Sequence, residues 1–112
     1  MAVLEEANRA ETLARADIRP STLAHIVFRT SRYRQMRDFY LTFLNAQVAY
    51  ENDFACFLRY DDEHHRVVII GMPNLAPVQP QASGLEHYAF GYGSLGTLLA
   101  QYVRLQERAI KP

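Results

Sequence analysis

One short pattern occurs twice in this chain and constrains the fold more than any other feature. LAHIVF (Leu23 to Phe28) and LEHYAF (Leu85 to Phe90) carry Leu, His and Phe at the same spacing. Each is followed by a stretch of helical periodicity. An offset of 62 residues lays Leu23 on Leu85, His25 on His87 and Phe28 on Phe90. It also sets Met36 on Leu98, Tyr40 on Tyr102 and Phe43 on Leu105. Self-similarity at a fixed period marks a supersecondary unit used more than once.

The first copy can be read through to its end. Leu23 to Thr30 alternates, with Ile26 and Phe28 on one side and His25 and Val27 on the other, which predicts a strand. Ser31 offers an N-cap for the helix that follows, and Met36, Phe39, Tyr40, Phe43 and Leu44 form its apolar stripe. Asn45 can close that helix. Three strands are then expected: QVAYE, FACFLRY after the Asn52-Asp53 turn, and HRVVIIG after the acidic turn Asp61-Asp62-Glu63. The unit therefore runs strand, helix, strand, strand, strand.

Gly71 to Gly84, with Pro73, Pro77 and Pro80, reads as a linker. Beyond it the spacing predicts a strand, LEHYAFGY, and a helix over SLGTLLAQYVRLQERA with Leu95, Leu98, Leu99, Tyr102 and Leu105 inward. Then the chain ends at Lys111-Pro112. A second unit matching the first would need roughly 34 further residues. An incomplete sheet exposes unpaired backbone along its edge. The expectation is a fragment, or a homodimer that completes its sheet by strand exchange. The fold class is accordingly α+β: a βαβββ module followed by the strand and helix of a second, incomplete one (85–112). Residues 1–20, whose apolar positions Val3, Leu4, Ala7, Ala10, Leu13 and Ala14 lie near one helix face, form an N-terminal helical extension to a domain spanning 21–112.

Composition narrows the function classes. Twelve basic residues balance twelve acidic ones, so no net field draws in nucleic acid or an anionic membrane. The one cysteine, Cys56, permits neither an intramolecular disulfide nor a Cys-based zinc site, and its place in a strand suits a small buried hydrophobe. No apolar run approaches the roughly twenty residues that cross a bilayer. The N-terminus lacks the apolar core of a secretory signal, so a cytoplasmic location is expected.

A histidine in a strand is ordinarily a packed or hydrogen-bonded side chain. His25 and His87 share a repeat position, however, and their same-face neighbours Val27 and Ala89 are small. Two imidazoles related by pseudo-symmetry can form half of a divalent metal site. The doublet His64-His65 opens the fourth strand. His64 reads as a solvated strand entry, and periodicity leaves open which side of the sheet His65 lines.

Taken together, LAHIVF, the run DDEHHRVVII and the later GLEHYAF resemble the vicinal oxygen chelate superfamily of glyoxalases, bleomycin-resistance proteins and extradiol dioxygenases. The likeness runs from Leu23 to the C-terminus and is strongest to the extradiol branch. It implies a glyoxalase-like fold of paired βαβββ modules, with His25 and His87 as metal ligands and His65 as an acid–base catalyst outside the coordination sphere. The implied cofactor is a divalent metal, Fe(II) foremost, with Mn(II) or another divalent ion as the alternative. The implied reaction is O₂-dependent cleavage of a catechol or dihydroxybiphenyl-like diol, with the metal holding both oxygens. The family's third ligand is a carboxylate on the last strand of the second module, and this sequence has no matching position. Glu86 points away from His87 across its strand, and Glu107 lies on a helix. Tyr60, Phe57 and Tyr88 are candidates for shaping an aromatic pocket, or are plain core.

Two further readings stand beside that one. A glyoxalase-like isomerase or lyase would want a carboxylate on the fourth strand of the first module, where Glu63 sits at the turn and His65 occupies the strand. A metal-free small-molecule-binding protein of the bleomycin-resistance kind would have no need of matched histidines.

Overall fold

The computed structural model describes residues 2–112. Helix α1 spans Ala2–Arg15, and a βαβββ unit follows: β1 (Ile26–Thr30), α2 (Tyr33–Phe43), β2 (Gln47–Glu51), β3 (Ala55–Arg59) and β4 (Val67–Gly71). The chain closes on α3 (Leu95–Glu107). The four strands form one mixed sheet in the order β1-β4-β3-β2, parallel between β1 and β4 and antiparallel elsewhere. The parallel pair requires a long crossover, and α2 with the β2–β3 hairpin supplies it.

Strand alternation sorts the side chains onto two faces. Cys56, Leu58, Val67 and Ile69 are each fully buried on the face that α2 covers. Ile26, Phe28, Met36 and Tyr40 pack against them. Burial beside Glu51 pushes the Cys56 thiol up to about 11, so it stays protonated and acts as the small hydrophobe expected of it. The opposite face carries the cross-strand row Val27, Val68 and Phe57. In β2 the register shifts by one residue between Val48 and Tyr50. That bulge brings Tyr50, rather than Ala49, opposite Phe57, with ring centroids 6.0 Å apart.

Local chemistry explains the ends of α2. The N-cap is Arg32 and makes no side-chain cap; Ser31 does not serve. Thr30 takes part instead, its Oγ1 accepting from the Arg32 amide at 2.9 Å. At the C-terminus Asn45 adopts φ 49°. The Asn45 amide donates to Thr42 and the Ala46 amide to Leu41, both at 3.1 Å, a Schellman closure in which Asn tolerates the left-handed backbone better than most residues. Helix α3 ends the same way, with Ala109 at φ 59° and Ile110 donating to Leu105 at 2.9 Å. The two helices share a type of closing turn, although at the offset of 62 Asn45 overlays Glu107 and α3 closes two residues later.

Gly71 ends β4 where the sheet meets the start of α2. A Cβ there would lie 2.8 Å from the Tyr33 Cβ, and the Tyr33 hydroxyl is already engaged, donating to the Asn52 carbonyl at 3.0 Å. Gly71→Ala is expected to cost about 1–3 kcal/mol, read as a lower urea midpoint at unchanged slope.

The second copy departs from expectation. Residues 85–92 form no strand. Half of the strand pattern persists, since His87 and Ala89 are exposed while Tyr88 and Phe90 are half-buried. Those two rings rest on the first unit, Tyr88 on Phe28 at 5.4 Å and Phe90 on Phe43 at 6.3 Å. Side-chain contacts seat the segment on the first unit, but its backbone finds no neighbouring strand among the described residues. Helix α3 is docked through polar groups. Gln101 Nε2 donates to the Phe43 carbonyl at 2.6 Å, and Arg104 Nη2 donates to those of Thr42 and Phe43 at 2.7 and 3.1 Å. These satisfy the Phe43 carbonyl, which the last turn of α2 leaves open, and add a second donor to the Thr42 carbonyl beside the Asn45 amide.

The apolar stripe of α3 is not inward. Leu95 is 70% exposed and Leu98 48%; Leu99 and Tyr102 are exposed as well, and only Leu105 is half-buried. No sheet lies beneath them among the described residues, so a groove of about 620 Å³ runs past Phe39, Phe43, Leu98 and Tyr102. None of α1 is buried either. The radius of gyration, 19.9 Å, exceeds the about 13 Å of a compact domain of this length. The well-packed part is the first unit.

Candidate active site

The site candidates lie at the end of the sheet where β1 and β4 begin. Neither His25 nor His65 is in a regular strand; each sits just ahead of one. The two rings nevertheless meet, with centroids 4.6 Å apart. His65 also packs edge-on against Phe57 at 5.2 Å. Phe57 belongs to the face away from α2, so His65 lines that face together with His25. Strand phase left this open because residues 64–66 belong to the turn, and the alternation of β4 does not reach back to them.

Arg66 holds this corner together. Its Nε donates to both Asp61 carboxylate oxygens, at 3.0 and 3.1 Å, and its Nη2 to Oδ2 at 2.9 Å. From the same guanidinium, Nη1 donates to the Ala24 carbonyl at 2.8 Å. The Ile26 amide donates to the Arg66 carbonyl at 3.0 Å. One residue thus closes the acidic turn and anchors the chain entering β1, which fixes the approach of His25 to His65. The planar fork is what lets Arg do both. Sequence reading passed over Arg66; the acid five positions before it, bracketing the His doublet, was the available signal.

Burial lowers the His65 pKa below the ordinary imidazole value, and the neighbouring His25 and His64 push in the same direction against Glu63. His65 is therefore held neutral near pH 7, able to take a proton. The hydrogen bonds from Arg66 hold the Asp61 carboxyl below the usual carboxylate range. A depressed acid stabilises the fold fully above its unfolded-state value and loses that contribution as pH falls through the folded-state value. Acidification through that window is expected to release the clamp, observable as NMR shifts of the Ala24 and Ile26 amides that precede global unfolding. Arg66→Ala should show the same shifts already at neutral pH.

The structure does not bring His87 to the same place. It is exposed and lines a shallow cavity with Phe39, Tyr40 and Phe43 of α2. Imidazole is a suitable donor for a divalent ion, but among the described residues no three His, Cys, Asp or Glu side chains converge to hold one. The donor chemistry fits a metal; the geometry within this chain does not complete a centre. Strand β4 reads VVIIG and carries no carboxylate, and Glu63 stays in the turn. Of the three aromatic candidates, Phe57 lies at the histidine pair. Tyr88 and Tyr60 pack elsewhere, against Phe28 and Phe90 respectively, and burial raises the Tyr88 hydroxyl pKa. No helix among the described residues is long and apolar enough to cross a membrane.

Comparison with known proteins agrees with this architecture. Residues 22–112 match the model of the Glyoxalase/Bleomycin resistance protein/Dioxygenase superfamily. Over 90 residues, 80% of this chain, the sequence is 46% identical to Biphenyl-2,3-diol 1,2-dioxygenase 2 of Rhodococcus globerulus, and covers 47% of that protein. Over 92 residues it is 41% identical to Biphenyl-2,3-diol 1,2-dioxygenase 3 of the same organism, covering 80% of this chain and 48% of that protein. The chain spans about half the length of the curated relatives it matches.

Proposed function

We propose, from the premise that the chain belongs to the Glyoxalase/Bleomycin resistance protein/Dioxygenase superfamily, that it serves extradiol cleavage of an aromatic diol by O₂. The observation that carries the reading is the contact of His25 with His65 at 4.6 Å beside Phe57. In this reading His65 is the acid–base group, and His25 and His87 are ligands for a divalent ion, Fe(II) foremost, which requires a completed second unit to carry His87 from its place beside α2 to His25. The carboxylate that would complete the set has no residue in this chain to be assigned to. The substrate class, a catechol or a dihydroxybiphenyl, draws its support from what the two relatives are named for.

The side chains at hand suit that role. A neutral His65 can take the hydroxyl proton of a diol and return it later. The ring of Phe57, with Tyr50 inclined at 62° beside it, offers an apolar surface for an aromatic substrate. Arg66 keeps the two histidines in register, so that the proton acceptor and a candidate ligand stay adjacent.

The test is oxygen uptake by the protein after anaerobic Fe(II) loading, with 2,3-dihydroxybiphenyl as substrate. One O₂ consumed per yellow ring-opened product supports the reading. Bound iron with neither uptake nor product overturns it, and diol binding by a metal-free protein would favour the sequestering alternative. In a Co(II) titration, His25→Ala and His87→Ala are each expected to weaken binding by more than about 10-fold, whereas His65→Phe leaves it intact. A second copy completing the sheet by strand exchange belongs to the same proposal, and sedimentation equilibrium at the assay concentration reads it directly.

A further inference from the structure

His64 was read from the sequence as a solvated strand entry, and the structure gives it a partner. Its Nδ1 lies 2.9 Å from Nδ1 of His65, a separation at which one nitrogen donates and the other accepts. We propose that His64 is a positioning residue for His65: the His65 Nδ1–H donates to the His64 Nδ1, which leaves His65 Nε2 bare to receive a proton.

The direction follows from the chemistry. The contact with His64 occupies the Nδ1 of His65, so Nε2 is the nitrogen free to meet a substrate. Were His64 the donor, His65 would carry its hydrogen on Nε2 and could accept a further proton only at Nδ1, by breaking the contact. With His65 as donor the contact survives the transfer. An O–H bond of the diol breaks, its electron pair stays on oxygen, and an N–H bond forms at Nε2. The Nδ1–H then points at His64 from an imidazolium and bonds more strongly. The second ring nitrogen fixes the tautomer and orientation of the first. Phe57 flanks both rings, His65 at 5.2 Å and His64 at 6.4 Å, and so holds the two imidazoles in place beside one another. The direction of the hydrogen bond and its catalytic meaning rest on the proposed dioxygenase reading; the 2.9 Å contact itself does not.

The test therefore uses a readout independent of metal and turnover. Nitrogen-15 NMR of the imidazoles in the metal-free chain reports which His65 nitrogen bears the hydrogen. A free neutral histidine side chain in water prefers the Nε2–H form, so Nδ1–H at His65 is a discriminating signature. His64→Asn places an amide oxygen near the original Nδ1 and is expected to keep the Nδ1–H form. His64→Phe removes the acceptor and is expected to return His65 to Nε2–H, with the amide fingerprint of β1, β3 and β4 unchanged. Nε2–H in the unaltered chain, or Nδ1–H persisting in His64→Phe, overturns the proposal. Failure of the oxygen-uptake assay leaves these NMR outcomes unaffected, so the two readings fail separately.

Discussion

Leu58→Ala is expected to destabilise the chain by about 2–5 kcal/mol, a large share of the 5–15 kcal/mol that holds a typical domain together. Leu58 is fully buried in β3 and stands opposite Val67 in the neighbouring strand. Cys56, Ile69 and Tyr40 complete its surroundings. Five buried residues make up that cluster, with Ile26, Phe28 and Met36 among the partly buried side chains packed on it, and how far these can collapse into the cavity sets where in the range the loss falls. The contrasting substitution is Leu98→Ala on α3. At 48% exposure it is expected to change stability by no more than about 0.5 kcal/mol. Urea unfolding of both variants at matched concentration reads the difference. If Leu98→Ala cost as much as Leu58→Ala, the apolar face of α3 would be covered in solution, and a concentration-dependent midpoint would identify a second copy as the cover.

What could be read beforehand divides along physical lines. The first unit was legible from Leu23 to Gly71 because each element has its own sufficient signal: period two in the strands, a wide stripe in the helix, Asn45 at the left-handed closing position. Element ends were less so. His25 and His65 fall outside β1 and β4, since ladder hydrogen bonds rather than alternation decide where a strand starts. The strand expected at 85–92 illustrates the same point from the other side. Alternation there does sort Tyr88 and Phe90 from His87 and Ala89, but a strand also needs a partner for its backbone. The inward stripe of α3 fails for a related reason, because periodicity states which side chains want burial and not what is present to bury them. At the site, the sequence pointed to His25, His65 and His87 without the pairing. The clamp of Arg66 on Asp61 and Ala24, and the contact of His64 with His65, depend on how a turn folds back, which no period encodes.

The largest functional effect is expected at His65. In the proposed reading His65→Phe lowers the ring-cleavage rate by about 10²–10⁴-fold, the range over which a positioned acid–base group acts, while metal affinity holds. The histidines divide the labour. His65 touches His25 but is held neutral by burial and by the charges of its neighbours, so it is equipped to move a proton and is not needed as a donor to the ion. Phenylalanine keeps the ring that packs against Phe57 and removes both nitrogens, so the packing at the head of β4 should survive the change. His65→Asn would put an amide near Nδ1 and restore the contact with His64 without restoring Nε2; it is expected to be as slow as His65→Phe. Equal loss in the two variants places the function at Nε2. Should His65→Asn recover most of the rate, proton transfer would have to be reassigned to another group. Loss of Co(II) affinity in His65→Phe would instead make His65 a ligand, and the contact with His25 would then be a pair of donors to one ion.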